Sequence, residues 1–320
     1  MKVLFVSSGN SHYGVVPFIR NQGESLAKQG VEVDFYPLEG KGLSGYLKNI
    51  KKLRKHLIHN NYDLLHAHYS LIGMITVLTL TKKPIVLSLM GSDAYGDYNL
   101  EGKRILKSYL PMIITQILQP FLNVIIVKSK NIMKYVYRKK ITHLVPNGVN
   151  FDRFKPMNRE ECRQKLGLPL DKKLVLFLAN PDDPRKNFQL LEKSIPHLQT
   201  KNVEVINPFP IKNEDFPYYL NACDVFVLTS YNEGSPNVIK EAMACNCPIV
   251  STDVGDVKEV ISGTEGCYLV SFDHLSLASN IDKVLKRNRK TKGRNNIPHL
   301  NDEKVAEKII SIYQSVLKTT

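Results

Sequence analysis

The stretch Val225–Ala244, VFVLTSYNEGSPNVIKEAMA, decides the fold. Its first four residues are apolar and mostly β-branched or aromatic, which suits a strand buried on both faces. A short polar turn follows, and then a segment of helix-forming residues. Ser235 is placed to cap that helix and Pro236 to occupy its first position, where a missing N–H costs nothing. Gly234 allows close approach of the backbone to a ligand. The amides of Asn237 and Val238 would then point outward with the helix dipole behind them, which is a phosphate site. Glu233 precedes this start and Glu241 follows one turn later. They would be roughly 12 Å apart along a continuous helix. Two acids so spaced cannot serve one atom; they can hold hydroxyls on either side of a bound diphosphate, or be surface acids that stabilise a helix start.

The same strand-then-helix rhythm runs through all 320 residues. KVLFVSS, VEVDFYPL, YDLLHAHY, PIVLSLMGS, NVIIVKS and THLVPNG form one series. KLVLFLAN, VEVINPF, VFVLTS, PIVSTDV and CYLVSF form a second. Continuous apolar strands with helical crossovers predict parallel α/β sheets covered on both faces, and two series predict two doubly wound Rossmann-like domains. The expected division is 1–150, 151–302 and a closing helix over 303–320 that packs back toward the first domain. The join falls in VPNGVNFDRFKP, where Pro, Asn and Gly cluster. Ligands of such sheets bind beyond the carboxyl ends of the strands, so two domains facing each other would enclose a cleft.

Charge is unevenly spread. Residues 1–150 carry 20 Lys and Arg against eight Asp and Glu, and the remainder is nearly balanced. A basic half suits a phosphorylated substrate, an anionic lipid surface or nucleic acid. No helix-turn-helix, finger or aromatic-bearing sheet motif supports nucleic acid. The helix expected in YLKNIKKLRKHLIHN sets Tyr46, Leu47, Ile50, Leu53, Leu57 and Ile58 among lysines and arginine. With KYVYRKK, it could dock on an anionic membrane or could be an ordinary crossover helix with a solvated face. The N-terminal MKVLFVSSGN reads as a strand rather than a signal peptide. YLPMIITQILQPFLNVIIV is interrupted by Pro and Gln and reads as a helix followed by a buried strand, not a membrane span. A cytoplasmic protein, peripheral at the inner face of the membrane, is expected.

The five cysteines, Cys162, Cys223, Cys245, Cys247 and Cys267, form no framework and suit a reducing compartment. Cys245 and Cys247 have no matching Cys/His pair for a metal. Asp182-Asp183 lacks the D-x-D spacing, so no metal cofactor is expected. G-x-G-x-x-G is absent and Asp34 falls inside a strand, which argues against a nicotinamide enzyme.

The stretch NEGSPNVIKEAMACNCPIVSTDVGDVKEVI resembles the donor-binding signature of retaining family 4 glycosyltransferases, which have the two-domain GT-B fold. VPNGVNFDRFKP, YYLNACDVFVLTS, DPRKN, DLLHAHYS and MGSDAYG extend the resemblance over most of the chain. It implies metal-free transfer of a sugar from a nucleoside diphosphate to a hydroxyl of a glycan or lipid-linked acceptor. By the same resemblance, Glu241 would bind the ribose and Glu233 the transferred sugar. Gly234, Ser235, Asn237 and Val238 would hold sugar and phosphate, and Gly14 would let the backbone approach the donor. Arg185 and Lys186 would neutralise the leaving diphosphate, the more so because Asn180 stands where the family often has another arginine. Met90 replaces the histidine of the usual pattern, leaving Asp93 as the polar group beside the acceptor, or as a structural cap. His12, His66 and His68 could supply an imidazole, although each alone reads better as a structural residue. Met90 and Asn180 also keep open a catalytically silent sugar-nucleotide-binding subunit.

Overall fold

A computed structural model describes residues 1–12, 14–40, 42–97, 99 and 103–319. The chain forms two compact units. The first comprises Met1–Asp97, Arg104–Gly148 and Asp302–Thr320, and the second is built on Val149–Asn301.

The first unit carries six parallel strands: β1 (Lys2–Ser8), β2 (Glu32–Leu38), β3 (Leu64–His68), β4 (Ile85–Leu89), β5 (Val124–Val127) and β6 (Thr142–Leu144). Their order in the sheet is β2-β1-β3-β4-β5-β6. The chain therefore steps to one side of β1 and then back to the other, so the loops after β1 and β3 flank the reversal. The closing helix Asp302–Thr319 belongs to this unit. Its Val305, Ile309, Ile312, Tyr313 and Val316 share one core with Val3, Phe5, Ile19 and Leu64.

The second unit carries β7 (Lys173–Leu176), β8 (Val203–Ile206), β9 (Val225–Leu228), β10 (Ile249–Thr252) and β11 (Cys267–Val270), in the order β11-β10-β9-β7-β8. All pair in parallel. Alternate residues feed opposite faces, as a period of two requires. Leu174, Leu176, Phe226 and Leu228 enter one core, while Val175, Phe177, Val225 and Val227 enter another. Here the reversal lies between β7 and β9, whose following loops are therefore neighbours. Beneath them, buried Asp224 accepts from Arg163 Nη2 at 2.8 Å and from the Leu174 amide at 2.7 Å. That pairing fixes the register at which the two loops emerge.

Candidate functional site

The loop after β7 contains the short 3₁₀ turn Pro184–Lys186, and the loop after β9 runs through Ser230–Pro236 into the helix Asn237–Ala244. Four hydrogen bonds knit this region together. Thr229 Oγ1 donates to the carbonyls of Lys186 at 2.8 Å and Asn187 at 2.9 Å. The Tyr231 amide donates to the Arg185 carbonyl at 2.9 Å, and Thr252 Oγ1 donates to the Ser230 carbonyl at 2.8 Å. The two cations are thus carried next to the motif rather than left on a free loop.

The decisive contact is between side chains. Lys186 Nζ lies 2.6 Å from Glu233 Oε1, and Ser230 Oγ donates to the same oxygen at 2.9 Å. Both partners are partly buried, so this charge-assisted pair is less screened than a surface one. Arg185 is more exposed. It forms a fork on Asp183, with Nη2 2.8 Å from Oδ2 and Nε 3.2 Å from Oδ1. The guanidinium holds the Asp183 carboxyl below the usual carboxylate range. Asn180 accepts from the Asp182 amide at 3.0 Å and shapes the start of this loop.

The helix begins at Asn237, with Pro236 in the cap position and no side-chain cap. Ser235 is not the cap expected from the sequence. Its hydroxyl is drawn down to Asp256 Oδ2 at 2.7 Å and also accepts from Lys240 Nζ. Lys240 lies 3.2 Å from the same Asp256 oxygen and is fully buried. Burial pulls its pKa down, and Asp256 opposes that. Asp256 Oδ1 is buried without a hydrogen-bond partner among the described residues. The preceding Gly255 has φ +61°, and a Cβ there would lie 3.0 Å from the Gly234 carbonyl and 3.1 Å from that of Glu233. Glycine is needed both for the left-handed backbone and for this close approach.

Glu241 stands one turn into the helix, partly buried. Desolvation pushes its pKa up to about 7, against the pull of Arg153 and Lys240. Among the described residues no donor occupies its carboxylate, in contrast to Glu233. Arg153, from the domain-junction stretch, also bonds Asn213 Oδ1 at 2.9 Å. Sequence reasoning did not single out Lys240, Asp256 or Arg153. Only the fold brings Asp256 and Arg153 to the motif, and Lys240 resembles any helix-surface lysine until its helix is seen to bury it.

In the first unit, Gly14 adopts φ +65° and its amide donates to the Ser11 carbonyl at 2.9 Å. Asp93 is buried, with its oxygens accepting from the amides of Ser70 at 3.1 Å, Met90 at 3.0 Å and Gly91 at 2.9 Å. Desolvation raises its pKa to about 6 despite those bonds. This is a loop-tying carboxylate, and it also borders a cavity of about 210 Å³ lined by Ser8, Tyr46, Tyr69 and Ser70 among others. Tyr69 is held at φ 73° at the end of β3, a strained setting of the kind found at ligand sites. His66 bonds Tyr313 Oη at 2.5 Å and Ser88 Oγ at 2.7 Å, and His68 stacks on it at 4.3 Å. Both are buried, and burial drives their pKa values well down. They are neutral core residues and not exposed imidazoles.

Residues 182–287 match the family model described as glycosyl transferases group 1, and residues 13–153 match that described as glycosyltransferase family 4. The chain belongs to the family 4 glycosyltransferases. Within that family it is similar to TuaC of Bacillus subtilis, which carries a provisional assignment as a teichuronic acid biosynthesis glycosyltransferase. The two are 30% identical over 223 residues, covering 62% of this chain and 55% of TuaC. It is also similar to the N,N'-diacetylbacillosaminyl-diphospho-undecaprenol alpha-1,3-N-acetylgalactosaminyltransferase of Campylobacter jejuni. That match is 24% identical and covers 56% of this chain and 55% of that protein. The chain spans about half the length of the curated relatives it matches. Its fold is that of the GT-B glycosyltransferases. Sucrose-phosphate synthase from Thermosynechococcus elongatus superposes with a TM-score of 0.82 at 19% identity over the whole of both chains. Anabaena HepE in complex with UDP-glucose superposes with a TM-score of 0.72 at 18% identity, covering 100% of this chain and 99% of that one.

Proposed function

We propose that this protein is a retaining glycosyltransferase that moves a sugar from a nucleoside diphosphate to a hydroxyl of a glycan or lipid-linked acceptor. The observation that carries it is the Lys186–Glu233 pair, set beside the opening of the helix Asn237–Ala244 with Glu241 unoccupied one turn on. A cation, a helix start and two acids of different occupancy form a row that suits the parts of a sugar nucleotide in order. Glu241 accepts from ribose hydroxyls, the amides of Asn237 and Val238 with Lys186 face the diphosphate, and Glu233 accepts from the sugar.

In the reaction, the bond from the anomeric carbon to the phosphate oxygen breaks and its electron pair leaves with the nucleoside diphosphate. The acceptor oxygen bonds to that carbon on the same face, and its proton passes to the departing phosphate. Lys186 and Arg185 stabilise the charge that develops on the leaving group, so the proposal assigns no step to a metal. Lys186 then plays two parts. It holds Glu233 in place before the donor arrives and meets phosphate afterwards. In the first unit, Asp93 orders the loop that borders the cavity offered to the acceptor.

The names of the two curated relatives above refer to teichuronic acid biosynthesis and to a diphospho-undecaprenol-linked acceptor. With the basic first half, they support a lipid-linked or membrane-proximal acceptor for this chain and a peripheral position on the cytoplasmic face of the membrane. Among the described residues no helix is long and apolar enough to cross a membrane. The test is turnover of uridine, guanosine and adenosine diphosphate sugars by the purified protein. Release of nucleoside diphosphate with any of them supports transfer. Binding without release identifies a silent sugar-nucleotide-binding subunit instead.

A further inference from the structure

The helix Tyr109–Leu118 and the 3₁₀ turns on either side of it, Leu106–Ser108 and Gln119–Phe121, are apolar on the outer face as well as the inner one. The outward positions are Leu106, Tyr109, Leu110, Ile113, Gln116, Ile117, Pro120 and Phe121, spaced three and four apart along one face. Only Gln116 among them is polar. Leu106 is 84% exposed, Ile113 52%, and Ile117 and Phe121 61% each. The inward positions include Ser108, Thr115 and Gln119, all buried. Ile114 and Leu118 are buried beside them, so the inner face needs no help from the outer one, and a helix that only had to cover its own sheet would keep its outer face polar. An exposed apolar face of this length marks a surface meant for something else.

Its surroundings say what. From Arg104 to Lys140 the sequence has eight Lys and Arg and not one Asp or Glu. Arg104 lies over the Tyr109 ring at 5.8 Å, at the start of the stripe. At its end, the segment Lys134–Lys140 is strapped to the helix. Gln116 Nε2 donates to the Tyr135 carbonyl at 2.7 Å, and the Arg138 guanidinium donates to the Gln119 carbonyl at 2.8 Å and that of Leu122 at 3.1 Å. Lys107, Lys134, Lys139 and Lys140 are exposed. Apolar side chains flanked by these cations fit the boundary between acyl chains and anionic headgroups. A second copy of the chain would bring the same cations face to face, so self-association is disfavoured by charge.

The lysine-rich helix Asn49–His59 does not offer such a face. Its Leu53 is fully buried, while Lys51, Lys52, Arg54 and Lys55 point out. Ile58 is its one strongly exposed apolar residue, so it behaves as a crossover helix and contributes mainly charge.

We infer that the stripe Leu106–Tyr109–Leu110–Ile113–Ile117–Phe121 is the surface by which the protein inserts into an anionic lipid bilayer, with Lys107, Lys134, Lys139 and Lys140 on the headgroups. This deepens, and rests on, the membrane-peripheral position proposed above.

Co-sedimentation with vesicles of equal parts phosphatidylglycerol and phosphatidylcholine, and with phosphatidylcholine alone, tests it. The wild type should bind the anionic vesicles, less so at high salt. Ile113→Glu/Ile117→Glu should lose at least tenfold in binding while keeping its circular dichroism, melting temperature and nucleotide-sugar-induced thermal shift. Lys51→Glu/Lys52→Glu should lose less than the stripe variant. If the stripe variant sediments like the wild type, this surface is wrong although membrane binding stands. If the wild type ignores anionic vesicles, the membrane position itself falls. If the wild type is instead a dimer that the stripe variant splits, the face is a subunit interface. Nucleotide release by the same preparation reports separately on glycosyl transfer.

Discussion

Lys186 Nζ and Glu233 Oε1 are 2.6 Å apart, joining two residues that lie 47 positions apart in the sequence with β8 and β9 between them. The pair places the cation of one loop on the acid of the next, where β7 and β9 end side by side. Replacing Lys186 with Met removes the charge and leaves most of the stem. On whichever sugar nucleotide the enzyme accepts, kcat should fall about 10²-fold or more, the scale for losing one preorganised electrostatic contact in a transition state. Steady-state kinetics check this. An unchanged kcat with a modest rise in KM would confine Lys186 to holding Glu233.

Glu241 gives a pH dependence whose sign can be worked out. Its pKa is raised from 4.5 to about 7 by desolvation. The folded protein therefore holds more protons than the unfolded chain between those values, and this group's contribution to stability falls as pH rises through that window. Donor binding should run the opposite way, because the carboxylate accepts from ribose hydroxyls better than the acid does. Affinity measured calorimetrically should strengthen from pH 6 to pH 8 in the wild type and stay flat in Glu241→Gln. A flat wild-type profile would remove the carboxylate from the nucleotide.

Lys240 and Asp256 form a buried pair beneath Ser235. Lys240→Met alone strands a buried carboxylate that already has one orphan oxygen, and should cost about 3–5 kcal/mol. Lys240→Met/Asp256→Asn should recover most of it, giving a coupling above about 1 kcal/mol in a double-mutant cycle of urea unfolding. Additive losses would show that the two do not act as a unit.

Asp93 ties three backbone amides. Asp93→Asn trades an acceptor for a donor facing those amides and should cost about 1–3 kcal/mol in unfolding free energy. Turnover at a temperature where the variant is fully folded should fall far less than in Lys186→Met. A loss matching the lysine variant would give Asp93 a direct part in the chemistry.

The strands were legible because each is a short apolar run closed by turn residues, and the helix start at Asn237 was misplaced by only one residue. Ser235 went wrong because capping is local chemistry, whereas its real partners, Lys240 and Asp256, are met only in the fold. Lys186 and Glu233 could be named from motif spacing but not joined. The histidines of β3 read as structural one by one, and their burial, which keeps them neutral, agrees with that. The outward stripe of the helix Tyr109–Leu118 was hidden for a different reason. A segment apolar all round carries no sign of which face is turned to water.

The central claim is that the opening of the helix Asn237–Ala244, with an acid on either side, grips a nucleoside diphosphate sugar. The most direct measurement is the thermal shift of the wild type and of Glu241→Ala across uridine, guanosine and adenosine diphosphate sugars. One of the donors should stabilise the wild type, and Glu241→Ala should lose that shift while melting normally without ligand. A stabilising donor that shifts Glu241→Ala equally would contradict the account.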